Sequence, residues 1–189
     1  GKSLPDTTVS AIAYEVEKIH HGTPSGVDNT VITLRKAVFF VRGQAIQPLH
    51  IGQPFTLLIA DSGIPSPTAA TVGDVRRAWE QNPQDYEALF DQIADIVIQA
   101  RSLIEKGVPH LLGDLMNRNQ ELLRALNVSS PQLDHLINVA LQAGALGAKL
   151  SGGGRGGNVI ALVSEGEAAA VARSLKEGGA REVILTTVE

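Results

Sequence analysis

Hydrophobic positions along the chain change period several times, and each change predicts an element. Val9, Ile12, Ala13, Val16 and Ile19 recur every three or four residues. That is one face of a helix, so residues 7–20 are predicted to form an amphipathic helix, capped by Asp6 or Thr7. Glu17 falls off the central stripe, beside Tyr14 and Lys18. A loop over residues 21–28 follows by residue type. Thr30–Leu34 and Ala37–Val41 are β-branched and aromatic, and read as two paired strands. Phe55–Ala60 is an unbroken apolar run, the mark of a buried strand. Its exit, residues 61–68, has turn chemistry.

From there the period is helical. A helix beginning at Thr68 or Thr71 should run to about Gln81, where Asn82-Pro83 stops it. Residues 84–106 carry Leu89, Phe90, Ile93, Ile96, Val97 and Ile104 and end at Gly107. Two further helices are predicted over 110–126 and 131–146, the second started by Ser130-Pro131. A glycine-rich turn, a strand over 159–163, a helix over 166–177 and a strand over 181–187 complete the pattern. Strands come first, helices in the middle, and a strand-helix-strand unit closes the chain, so the predicted class is α+β.

Composition narrows the function classes. The 189 residues suit one domain, or one and a half small ones, and 43% hydrophobic content supports a real core. Aromatics are only 4%, so that core should be aliphatic. The net charge of −4 comes with no basic run, which argues against nucleic acid as a partner. No apolar run reaches ~18 residues, so no membrane span is expected. The chain has no cysteine, which excludes disulfides and thiolate metal sites and suits a cytoplasmic setting.

The candidate chemistry lies in two places. His21-Gly-Thr-Pro-Ser-Gly-Val-Asp28-Asn29 builds a tight loop that ends on a carboxylate, and Glu17 lies eleven residues before Asp28. Such a pair is ordinarily a solvated helix residue and a turn residue. Here glycine and proline are spent on a fixed shape, which fits a side chain that must be aimed. The second place is Lys149-Leu-Ser-Gly-Gly-Gly-Arg-Gly-Gly157. Gly152, Gly154 and Gly157 have the spacing of a dinucleotide fingerprint, but a helix is predicted before them and a strand after, which is the wrong context. No Gly-Lys-Ser/Thr closes the run as a Walker loop. Two readings stand: a flexible linker, or bare backbone that approaches a ligand. Adjacent His20 and His21 diverge on a helix and offer no zinc set, and Ser25 lacks the surroundings of a nucleophile elbow. An acidic pair with a remote glycine loop suits phosphoryl transfer.

At Glu17 through Asn29 and at Lys149 through Asn158 the chain resembles the GHMP small-molecule kinases, and within them the mevalonate kinases. Galactokinases usually carry a Cys-Gly-x-Met-Asp-Gln version of the first motif. The resemblance covers nearly the whole chain and corresponds to the C-terminal portion of a kinase. It implies an α+β fold with a domain split near residue 50: residues 1–50 as the end of an N-terminal kinase domain, and 51–189 as a C-terminal domain with helices packed on an antiparallel sheet. The family's Pro-x-x-x-Gly-Leu-x-Ser-Ser-Ala phosphate loop is not in the sequence, so the chain is expected to be a truncated fragment without turnover by itself. The implied activity is ATP-dependent phosphorylation of the mevalonate hydroxyl in isoprenoid biosynthesis. Asp28 resembles the catalytic aspartate, as base or as orienting group. Glu17 resembles the Mg²⁺ ligand. His20, Thr68 and Gly153 align with the substrate pocket, and Gly152, Gly154 and Arg155 with the loop beside phosphate or substrate. Many relatives have glycine where Arg155 stands; contact with substrate and exposure to solvent are both open for it. The implied partners are mevalonate and ATP, with no nucleic acid and no membrane, and a homodimer is left open. Two alternatives stand: a kinase for another small hydroxylated metabolite, and a non-catalytic module of the same fold.

Overall fold

A computed structural model describes residues 4–21 and 25–189, apart from the side chains of Thr7, His20 and His21. The chain divides into two compact units, Gly1–His50 and Ile51–Glu189.

The first unit opens with α1 (Asp6–His21), as the period predicts. Its apolar stripe is nevertheless open: Ile12 exposes 54% of its surface and Ile19 81%. The predicted loop is interrupted by Gly22, Thr23 and Pro24, which lie outside the described residues. Thr30–Leu34 is not a strand. It belongs to α2 (Val27–Leu34), capped by Gly26 in the left-handed region at φ +87°. Two threonines satisfy helix carbonyls with their own hydroxyls: Thr30 Oγ1 donates to Gly26 O at 2.6 Å, and Thr33 Oγ1 to Asn29 O at 2.6 Å. These back-bonds accommodate β-branched residues that would otherwise favour extended chain. The buried side chains are the polar Asn29 and Thr30, while Val31 and Ile32 face outward. The apolar pattern therefore pointed to the wrong period. The predicted strand 37–41 shrinks to β1 (Val38–Phe39), paired antiparallel with β2 (Gln47–Pro48) instead of with 30–34.

The second unit is a four-stranded antiparallel sheet in the order β4-β5-β3-β6. Its strands are β3 (Phe55–Asp61), β4 (Gly147–Ser151), β5 (Asn158–Val163) and β6 (Glu182–Val188). Between β3 and β4 run α3 (Thr68–Gln81), α4 (Pro83–Glu105), a 3-10 turn (Pro109–Leu111), α5 (Leu112–Ala125) and α6 (Pro131–Gln142). The last helix, α7 (Ala168–Glu177), joins β5 to β6. One face of the sheet presents Leu58, Ala60, Ala148, Leu150, Val159 and Ala161 to Leu133, Leu136 and Ile137 of α6 and Val171 and Leu175 of α7. The alanines on the strands bring helix and sheet close, and the resulting core is aliphatic, as the composition predicts.

The predicted helix 131–146 stops at Gln142, and β4 takes up the chain five residues later. Its outer edge is closed by α5: Ala148 N–H donates to Asn117 Oδ1 at 3.0 Å, and Leu150 N–H to Gln120 Oε1 at 3.0 Å. Side-chain amides thus replace a fifth strand and leave no bare edge there. A strand, not a helix, precedes the glycine run, so residues 152–157 form the turn of a β4–β5 hairpin. A strand also follows them, so the dinucleotide context is still missing. Among the described residues no helix is long and apolar enough to cross a membrane.

Candidate active site

In the first unit, Glu17 is half-buried on α1 and Asp28 is exposed in the first turn of α2. The chain fixes Asp28 through its neighbours. Asn29 Nδ2 donates to Ser10 Oγ at 2.9 Å and to Ser10 O at 3.1 Å, which ties α2 to α1. Val27 N–H donates to Ser25 Oγ at 3.3 Å at the helix start. A negative charge at this end of a helix is favoured by the free N–H groups. Asp28 is therefore a solvent-facing carboxylate on a braced support. Asn29 carries that brace, and sequence reasoning quoted it without giving it a role. Its Oδ1 is buried with no hydrogen-bond partner. His20 falls on α1, but its side chain lies outside the described residues.

Among the described residues no three His, Asp or Glu side chains gather as a metal cage. Mg²⁺ characteristically uses one or two carboxylates together with phosphate oxygens and water. Glu17 is half-buried and makes no ion pair with a described residue, so it could supply one such carboxylate.

In the second unit the structure brings Thr68, Gly153, Gly154 and Arg155 together. Thr68 is the first residue of α3. A Cβ on Gly153 would collide with Thr68 Oγ1, and one on Gly154 with the Val128 carbonyl oxygen. One on Gly156 would stand 2.6 Å from Pro65 O. These glycines are bare because protein backbone and side chains crowd them, which removes the flexible-linker reading. Gly152, at φ +99°, has nothing within 4 Å of its Cβ position. It is the glycine of this group with room for a ligand against it.

Hydrogen bonds hold the turn on the 61–68 loop. Ser66 Oγ donates to Gly154 O at 2.8 Å, Gly157 N–H to Ile64 O at 2.8 Å, and Ser62 N–H to Gly157 O at 2.9 Å. Arg155 does not point freely into solvent. Its guanidinium pairs with Asp74 and donates to Asn127 O. The Arg155 guanidinium beside Asp74 holds that carboxyl below its ordinary range. Just before the turn, Lys149 is half-buried, and burial lowers its ammonium to about 8. Nothing in the sequence signals Asp74 as a partner of the glycine turn, because the two lie 81 residues apart.

Residues 100–181 match the family described as GHMP kinases C terminal. The chain is 37% identical over 168 residues to the mevalonate kinase of Aeropyrum pernix, an alignment covering 88% of this chain and 52% of that protein. It is 32% identical over 184 residues to the mevalonate kinase of Pyrococcus horikoshii, covering 95% and 54%. Among solved structures it is similar to L. major mevalonate kinase in complex with R-mevalonate. The TM-score is 0.90 at 36% identity, across 99% of this chain and 59% of that one. The chain spans about half the length of the curated relatives it matches.

Proposed function

This chain carries a GHMP-kinase C-terminal domain, and on that premise we propose that its parent activity is transfer of the γ-phosphoryl group of ATP to the hydroxyl of mevalonate. The observation that carries the reading is Asp28: an exposed carboxylate in the first turn of a helix whose next two residues are buried and bonded down. The relatives named mevalonate kinases support the substrate, as does the L. major enzyme's complex with R-mevalonate. In this reading the unit Gly1–His50 belongs to an N-terminal kinase domain and Ile51–Glu189 is the C-terminal domain.

Asp28 orients the attacking hydroxyl and accepts its proton as the oxygen bonds to the γ-phosphorus and the bond from that phosphorus to the departing ADP oxygen breaks. Phosphoryl transfer runs through a loose transition state, so positioning outweighs strong base catalysis. Glu17 would hold Mg²⁺, which supplies charge neutralisation on the phosphates. Gly152 lets backbone approach substrate or phosphate, next to Gly153 and the Thr68 packed against it, the other two candidate pocket residues.

The test is steady-state kinetics of Asp28→Asn in the full-length protein. Turnover should fall by roughly 10²–10⁴-fold, the span of positioned acid–base groups. Michaelis constants for ATP and mevalonate should move far less, because other groups bind them. A well-folded variant with near-normal turnover removes the centre of the reading. A wild-type protein that phosphorylates a different alcohol and spares mevalonate would keep the chemistry and replace the substrate.

A further inference from the structure

Arg155 is one of three described non-glycine residues with positive φ, at +56°. A side chain there is disfavoured, so the chain holds it against a local cost. Four contacts hold it. Arg155 N–H donates to Val128 O at 2.8 Å. Nε and Nη2 donate to Asn127 O at 3.2 and 3.1 Å, and Nη1 pairs with Asp74. All three guanidinium nitrogens are therefore engaged by protein. Asp74 stands on α3, the helix that Thr68 begins. Asn127 and Val128 lie in the turn between α5 and α6. Arg155 thus joins the glycine turn to the helix bearing one candidate pocket residue and to the peptide backbone that packs Gly154.

The opposite end of the turn is tied to the same region. Leu150 N–H donates to Gln120 Oε1, and Gln120 Nε2 donates to Ser129 Oγ and to Asp134 Oδ1, each at 3.0 Å. The α5–α6 turn and its flanks therefore grip the glycine turn on both sides.

We propose that Arg155 is a positioning residue: it clamps the glycine turn to α3 and to the α5–α6 turn, so that the backbone at Gly152 and Gly153 stands pre-formed for a phosphate-bearing or hydroxylated ligand. The proposal rests on the phosphoryl-transfer reading for what binds, and on the contacts above for the clamp. A site that is only partly formed binds in proportion to its formed fraction, so loss of the clamp should raise Michaelis constants more than it lowers turnover.

The test uses Arg155→Ala, Asp74→Asn and the double variant in the full-length protein. The first readout is hydrogen exchange of the Arg155 and Gly157 amides without ligand. Arg155→Ala should speed exchange by about tenfold and Asp74→Asn by less, because the bonds from Nε and Nη2 to Asn127 O survive the second change, and the double should add little to Arg155→Ala. The second readout is kinetic. The Michaelis constant should rise by about five- to tenfold in Arg155→Ala and by less in Asp74→Asn, with turnover within about threefold, and Arg155→Lys should recover only part, since it lacks the planar fork. A raised Michaelis constant in Arg155→Ala with turn exchange at the wild-type rate would mean direct ligand contact and overturn the clamp. A lower melting temperature in both, with turn exchange and Michaelis constant unchanged, would equally overturn it. Should the wild type prove not to be a kinase, exchange still decides, because it needs no turnover.

Discussion

Gly152 and Gly154 are separated by one residue and share a positive φ, yet the structure gives them opposite duties. At Gly154, φ +81°, an added Cβ runs into the Val128 carbonyl oxygen. Alanine in left-handed backbone costs about 1–2 kcal/mol. Forcing the carbonyl away adds an overpacking cost of about 1–3 kcal/mol. The same carbonyl accepts the Arg155 N–H at 2.8 Å, so shifting it also loses a hydrogen bond of about 1 kcal/mol. Gly154→Ala should therefore cost about 3–6 kcal/mol. At Gly152, φ +99°, an added Cβ meets nothing within 4 Å beyond its chain neighbours, and only the backbone term of about 1–2 kcal/mol applies. At roughly 2–4 °C per kcal/mol for a chain of this size, the melting temperature should fall by about 6–24 °C in the first variant and by about 2–8 °C in the second, and by proportionately less in the longer full-length protein. The functional order should reverse. A methyl at Gly152 occupies the space left for the ligand, so the Michaelis constant should rise by about tenfold or more although the protein stays folded. Thermal melts and steady-state kinetics on both variants of the full-length protein give the answer. Equal melting shifts would refute the packing argument. A Gly152→Ala protein with unchanged Michaelis constants would refute the ligand-facing assignment.

Three further outcomes follow from named side chains. Glu17→Gln in the full-length protein should raise the Mg²⁺ requirement and lower the rate by about tenfold or more; an unchanged Mg²⁺ titration would leave Glu17 as a half-buried helix residue. Lys149 has its folded pKa lowered from 10.5 to about 8, so burial penalises the charged form and the folded chain binds fewer protons between those values. Stability should then rise as pH climbs from about 8 to about 10.5, and at pH 7 Lys149→Met should gain about 2 kcal/mol once the lost bond from Nζ to Leu150 O is counted. That gain should vanish by pH 10.5 in urea titrations, and a gain independent of pH would contradict the burial argument. Asn29→Ala removes both bonds to Ser10 and should lower turnover together with stability, whereas a fall in stability alone would show that the brace does not reach Asp28.

Much of the second unit was legible because period and packing agree there. β3 is an apolar run that is buried, and α6 starts where Ser130 Oγ accepts the Leu133 N–H at 3.4 Å. The sequence misled where a polar group did the work of an apolar one. In α2 the buried face is Asn29 and Thr30, and hydroxyl bonds to carbonyls make helix out of residues that read as strand. β4 was hidden for a related reason: small residues gave no strand pattern, and its edge is completed by the amides of Asn117 and Gln120, 31 and 30 residues earlier in the chain. No local pattern can carry such partners.

The candidate site divides in the same way. The letters around Asp28 and along the glycine turn could be read directly, because a fixed loop and bare backbone leave their residue types in the sequence. What the glycines meet could not be read. A run of five with an arginine inside it resembles a loop open to ligand throughout, and the structure closes most of it against Thr68, Val128 and Pro65. Packing of that kind changes the meaning of the arginine as well. A cation beside a glycine loop invites assignment to phosphate, but one whose nitrogens already reach Asp74 and Asn127 can serve phosphate only by giving up the contacts that shape the loop. The glycine turn is therefore rigid on the side that faces the protein and accessible at Gly152, which is the arrangement a pre-formed site requires.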